Sequence, residues 1–125
     1  MRPGNFAQRR AKTNVAMAQK IWTEPALNDL DAIADYIALD KPEAASRLVH
    51  RVFAHIEKLS RHPQLGPRIP ELLPASRYRQ IIEPPCRVFY RHDQMANKIF
   101  VLGVMRSERL FQPGILHGRD ESGPF

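Results

Sequence analysis

Apolar residues recur along this chain with two different periods, and the change of period divides it. Lys20, Ile21 and Trp22 form a short apolar and aromatic run that leads straight into Thr23-Glu24-Pro25. A capping side chain followed by a proline suited to a first helical turn means that a strand feeds a helix. Leu27, Leu30, Ile33, Ala34 and Ile37 then repeat at three- and four-residue spacing, with Asn28, Asp29, Asp31 and Asp35 on the other side, which predicts a helix ending near Leu39. Asp40-Lys41-Pro42-Glu43 restarts the pattern: Asp40 is the expected cap, and Glu43 follows three residues later as in a capping box. The second stripe is Ala45, Leu48, Val49, Val52, Phe53, Ile56 and Leu59. It stops before Pro63, which cannot donate a helical hydrogen bond and disfavours helical geometry at His62. Two amphipathic helices with almost no linker imply an antiparallel hairpin.

From Pro63 to Pro74 the text is too rich in proline for a regular element and reads as an ordered crossover loop. Beyond it the period shortens to two. Tyr78 to Glu83, Arg87 to His92 and Ile99 to Met105 are rich in β-branched and aromatic residues, as strands are. Pro84-Pro85 and Asp93 to Asn97 separate them at lengths that suit hairpins. The expected fold class is therefore α+β, in the order β-α-α-β-β-β, with the helical hairpin packed on a small antiparallel sheet. Such a sheet has a second face left over for function.

Composition narrows the picture. The chain has 125 residues, 43% of them hydrophobic, which fits one compact domain with a core of its own. One cysteine, Cys86, excludes an internal disulfide framework and a thiolate zinc site. No apolar run approaches the length of a membrane span and the first 18 residues lack the apolar core of a signal peptide, so a cytoplasmic protein without a membrane partner is expected. The net charge of +6 is uneven: residues 1–16 carry +4 with no acid, 17–60 carry −2, 61–111 carry +5 and 112–125 carry −1. Residues 1–16 read as a disordered basic arm or a non-native extension ahead of Met17, residues 17–111 as the domain, and residues 112–125 as a C-terminal tail.

Familiar catalytic signatures are absent: there is no phosphate-cradling glycine loop, no GxSxG elbow and no HExxH pair. His55 and His62 are seven apart on one helix, short of the three or four ligands a metal needs, so no metal and no cofactor are expected. Cys86 beside Arg87 reads as a small packing residue. The positive feature is arginine. Arg77 and Arg79 flank Tyr78, Arg87 and Arg91 bracket Phe89, and Arg106 and Arg109 follow the last strand. Residues two apart on a strand point the same way, so Arg87, Phe89 and Arg91 share a face that Val88 and Tyr90 do not. An arginine and aromatic surface suits nucleic acid or an acidic protein segment; the alternative is a solvated face paired with Glu83, Asp93 and Glu108.

Ile21-Trp22-Thr23, Tyr36-Ile37, Pro42-Glu43-Ala44-Ala45, Gly66-Pro67-Arg68, Pro70-Glu71-Leu72, Tyr78-Arg79, Arg87-Val88-Phe89-Tyr90-Arg91 and Val101 to Val104 stand in an order and spacing that resembles the ParE branch of the ParE/RelE toxin superfamily, over about residues 18–111. The resemblance implies the β-α-α-β-β-β fold derived above. It also implies a toxin of a type II toxin-antitoxin module, with a cognate ParD-like antitoxin as partner, a heterotetramer or larger complex with it, and operator DNA bound only through that complex. ParE-like members poison DNA gyrase without chemistry of their own and serve in plasmid stabilisation and growth arrest. RelE-like members cleave messenger RNA on the ribosome, and for that alternative the catalytic set would be Arg79, Arg87 and Arg109. Ile81 stands where that branch has a second strand lysine, and Leu110-Phe111-Gln112-Pro113 lacks its tyrosine, leaving His117 as the nearby acid-base candidate. The chain departs from the ParE pattern too, with Arg106-Ser107-Glu108-Arg109 in place of His-Gly-Arg-Arg and Cys86 in place of a tyrosine. A non-toxic DNA-associated module is the third reading. The expected target-binding residues are Arg79, Arg87, Arg91, Arg106 and Arg109, and Tyr36 is the expected anchor for the antitoxin.

Overall fold

The structure is a computed structural model and describes residues 17–122; the expected arm at 1–16 lies outside them. Strand β1 (Gln19–Trp22) leads into helix α1 (Glu24–Ala38) and helix α2 (Pro42–Arg61), followed by strands β2 (Tyr78–Glu83), β3 (Cys86–Asp93) and β4 (Lys98–Arg106) and a last helix, α3 (Gly114–Ser122). Thr23 joins the first two elements as expected. Its Oγ1 accepts from the Ala26 amide at 3.4 Å and donates to the Val101 carbonyl at 2.8 Å, so one buried hydroxyl caps α1 and ties it to the sheet.

The strand order is β1-β4-β3-β2. Strands β2, β3 and β4 form the expected antiparallel meander, while β1 pairs in parallel with β4, from Gln19 opposite Lys98 to Trp22 opposite Val101. The parallel edge follows from the connectivity: the helical hairpin is the long crossover that carries the chain from β1 to β2 in the same direction, and the two antiparallel turns after it leave β4 parallel to both. Between β3 and β4 the register slips: Phe89 faces Gly103 and Tyr90 faces Val101, which leaves Leu102 as the extra residue of a bulge.

The main core lies between the helical hairpin and one face of the sheet: Leu30, Leu48, Val52, Ile56 and Leu59 meet Ile81, Val88, Tyr90, Ile99 and Val101. Two sequence expectations shift here. In α1 the buried stripe is Ala26, Leu30, Ile33 and Ile37, and Leu27 is exposed, because the cap at Thr23 sets the helix rotation so that Ala26 faces the sheet. In α2 the cap is Lys41, which makes no side-chain capping bond; the helix starts at Pro42, and Asp40 belongs to the turn before it. Phe53, half-exposed, stacks on Trp22 at 4.8 Å and covers the edge of β1.

The other face of the sheet is also covered. Ile69, Tyr78, Phe89, Leu102, Phe111 and Leu116 form a second cluster. Residues 112–125, expected as a tail, carry α3, and its Leu116 is buried on the sheet. The proline-rich loop is fixed from the main core: Tyr90, fully buried, donates its hydroxyl to the Pro63 carbonyl at 2.8 Å and accepts from the Gly66 amide at 3.0 Å. A Cβ at Gly66 would sit 2.8 Å from that hydroxyl, so only glycine allows the approach. Asn97 turns the last hairpin at φ 51°, a left-handed conformation that asparagine tolerates.

Candidate functional site

Alternation along the strands decides where each arginine goes. Tyr78, Gln80, Arg87, Phe89 and Arg91 point to the α3 face, as the sequence required of the last three, while Arg79, Glu83 and Cys86 point to the helical-hairpin side. The five arginines expected to contact a target therefore do not form one surface. Arg87 and Arg91 share the α3 face, Arg79 lies on the opposite face at one end of the sheet, Arg106 lies on that same opposite face at the other end, and Arg109 sits exposed in the loop after β4.

Arg87 is closed off. Only 8% exposed, it binds Glu71 with both terminal nitrogens, Nη1 to Oε2 at 3.0 Å and Nη2 to Oε1 at 2.7 Å, and its Nε donates to Gln80 Oε1 at 2.9 Å. The guanidinium also lies over the rings of Phe89 and Phe111, at 5.1 and 5.4 Å. The hydrogen bonds from Arg87 hold the Glu71 carboxyl below the usual carboxylate range, against the opposing effect of burial. Arg87 thus clamps the proline-rich loop to the sheet.

Arg91 is engaged by α3. Its Nε and Nη2 donate to the two oxygens of Asp120, each at 2.9 Å, and Arg77 Nη2 and Tyr78 Oη donate to Oδ2 of the same carboxylate at 3.0 and 3.1 Å. The Asp120 side chain is only 4% exposed. Burial alone would push its carboxyl up, but the Arg91 bonds and charge, the Tyr78 hydroxyl and Arg77 together hold it below its ordinary value. The residue before it in α3, Arg119, reaches Asp29 of α1 at 2.7 Å and the Leu102 carbonyl at 2.9 Å, while Asp29 also accepts from the Val104 amide at 3.0 Å. A Cβ at Gly103 would come 2.6 Å from the Arg119 guanidinium. Helix α3 is thereby held across the sheet by a charged pair at each of two adjacent residues. The sequence reading gave no role to Glu71, Asp29, Arg119 or Asp120; the available signal was the apolar set Leu110, Phe111, Ile115 and Leu116 after the last strand.

Tyr36 projects from α1 and is 65% exposed, so it does not close the hairpin core; the Arg106 guanidinium lies over its ring at 5.4 Å and pairs with Glu108 at 2.8 Å. Beside it, α1, the end of β4 and α3 enclose a groove of about 360 Å³, walled by Ile33, Arg106, Arg109, Leu110 and Ile115. His117 rides on the exposed side of α3. His55 pairs through Nδ1 with Glu83 at 2.8 Å, and no group of three or more His, Cys, Asp and Glu side chains gathers among the described residues. Cys86 is buried in the main core, which pushes its thiol above the usual value. No helix of the described residues is long and apolar enough to cross a membrane.

A helical hairpin laid on a four-stranded sheet in the order β-α-α-β-β-β is the architecture of the ParE/RelE toxin superfamily. The family model for the ParE toxin of the type II toxin-antitoxin system parDE matches residues 21–111, and the chain belongs to that family. Toxin RelE2 of Caulobacter vibrioides is 36% identical over 74 residues, 59% of this chain and 80% of that protein. Y4kP of Sinorhizobium fredii, provisionally named as a toxin, is 31% identical over 88 residues, 70% of this chain and 86% of its own length. Among solved structures, a chain of the chromosomal ParDE system from P. aeruginosa superposes with a TM-score of 0.61 at 27% identity, covering 74% of this chain and 99% of that one.

Proposed function

We propose that this chain is a cytoplasmic toxin that inhibits DNA gyrase by binding it, and that a ParD-like antitoxin silences it. The observation that carries the choice of target is the dispersal of the arginines an RNA-cleaving toxin would need together. Arg79 and Arg87 lie on opposite faces of the sheet, and Arg87 spends its Nε, Nη1 and Nη2 donors on Glu71 and Gln80. Stabilising charge on a scissile phosphate requires donors that converge on one point. The match to the ParE family supports the same reading.

Of the expected target-binding set, Arg79, Arg106 and Arg109 are the members not closed off by a buried ion pair. Arg87 and Arg91 act by fixing the loop and α3. The groove beside Tyr36 suits the antitoxin, since it offers an apolar wall for anchoring side chains and cationic Arg106 and Arg109 at its rim to steer an acidic segment. The solved relative belongs to a toxin-antitoxin system, which supports such a partner. Sequence-specific reading of operator DNA is then left to that complex.

Supercoiling by purified gyrase tests the proposal. Addition of the toxin freed from its antitoxin is expected to abolish supercoiling and accumulate cleaved DNA. Unperturbed gyrase, together with cleavage of ribosome-bound message, would refute it in favour of a ribonuclease; unperturbed gyrase, intact message and normal growth on overexpression would favour the non-toxic module.

A further inference from the structure

A second concavity, about 450 Å³, opens at the end of the sheet where β2 begins and β3 ends. Arg68, Arg77, Arg79 and Arg91 line it, with Asp93 as the acidic side chain among the described lining residues. These arginines come from three separate stretches of chain, the proline-rich loop, the start of β2 and the end of β3, and their partners differ in kind. Arg77 and Arg91 share the single carboxylate of Asp120. Arg68 donates to the Ser76 carbonyl, and Arg79 donates to the Gly66 carbonyl at 2.8 Å and more distantly to that of Gln64. Carbonyls orient a guanidinium without cancelling its charge, so Arg68 and Arg79 are held in place as cations, with further N–H donors to offer.

The mounting is rigid. Gly66 is pinned by Tyr90, and the loop carrying Arg68 is clamped by the Arg87–Glu71 pair and bridged to β2 at Arg79. Little ordering therefore remains to be done on binding. Planar guanidinium forks match phosphate oxygens. The lining is polar and apolar in similar measure, but its one large apolar side chain, Met95, is almost wholly exposed, so the cleft lacks the buried apolar pocket that a protein segment would need as an anchor. We propose that this cleft binds the phosphate backbone of a nucleic-acid strand through Arg68 and Arg79, and that Asp120 acts as an internal anion that withholds Arg77 and Arg91. The inference goes beyond the gyrase reading and is tested without gyrase, so that each can fail alone.

The experiment is fluorescence anisotropy of a labelled single-stranded dT12 with the full chain at 50 to 200 mM salt, with an RNA of equal length run in parallel. Each phosphate contact on a single strand contributes about 0.7 to the slope of log K against log salt. Arg68→Gln/Arg79→Gln is expected to flatten the slope by about 1.4, which narrows the affinity change across this salt range by about sevenfold. Arg47→Gln/Arg61→Gln removes the same charge from the exposed surface of α2 and is expected to leave the slope within about 0.3 of the parent, while any contribution from residues 1–16 is common to all variants. Asp120→Asn, which removes the anion shared by Arg77 and Arg91, is expected to steepen the slope. Equal flattening by the two arginine pairs would overturn the proposal, as would a slope unmoved by Arg68→Gln/Arg79→Gln. So would a tenfold preference between DNA and RNA, which would place the contacts on sugar or base, or equal competition by a poly-glutamate of the same charge, which would point to an acidic peptide.

Discussion

Substituting Asp120 by asparagine removes one charge and almost no volume from the point where α3 meets the sheet. The parent carboxylate is almost wholly buried and accepts two bonds from Arg91, one from Arg77 and one from Tyr78. Arg77 is mostly exposed and its share is small, because solvent screens it. The bidentate Arg91 contact dominates. Loss of charge-assisted bonds to a buried carboxylate costs roughly 1.5–3 kcal/mol. That cost falls on the docking of α3 rather than on the main core, which lies on the other side of the sheet. The opening equilibrium of α3 should rise about 10- to 150-fold, since about 1.4 kcal/mol is a factor of ten. Hydrogen exchange reads this directly: amides of Leu116 to Asp120 should lose protection by that factor while those of Val52 and Ile56 in α2 keep theirs. The pH dependence has a definite sign. The docked carboxyl has a lowered pKa, so its contribution is fully present above its ordinary value of about 3.9 and disappears as the pH falls through the lower, docked value. In the parent, α3 should therefore loosen in acid, and in Asp120→Asn that window should be flat. A change of less than threefold in α3 exchange, or an equal loss in α2, would refute the reasoning.

Gly66→Ala should destabilise the fold by about 1–3 kcal/mol in urea titration, because the added methyl meets the Gln80 carbonyl and the Tyr90 hydroxyl, neither of which can retreat. Tyr90→Phe strands the buried Gly66 amide and the Pro63 carbonyl and should cost about 1–3 kcal/mol by the same measurement, with the loop at 63–74 becoming the first site of proteolysis. The Cys86 thiol, buried and with its ionisation pushed up, should resist a disulfide reagent at pH 8 in the native protein and react at once in urea; rapid native labelling would contradict its place in the core.

Local periodicity was enough to write down the element order from β1 to β4, the helical hairpin and the facing of Arg87, Phe89 and Arg91, since these follow from spacings of two and 3.6 along the chain itself. Thr23 as a cap was legible for the same reason. The rotation of α1 by one residue was not, because Ala26 and Leu27 fit an apolar stripe equally well until the cap binds the Val101 carbonyl on the sheet. Helix α3 escaped because its nine residues include two glycines and little amphipathic pattern, so its position depends on contacts made across the fold. Arg91 meets Asp120 across 29 positions and Arg119 meets Asp29 across 90, separations over which a sequence carries no spacing rule. The sequence by itself set which residues could be arginine forks and which strand face each would take. Which of these cations is compensated was settled by long-range contacts, because that depends on whether a carboxylate or a carbonyl, brought from elsewhere in the chain, stands opposite.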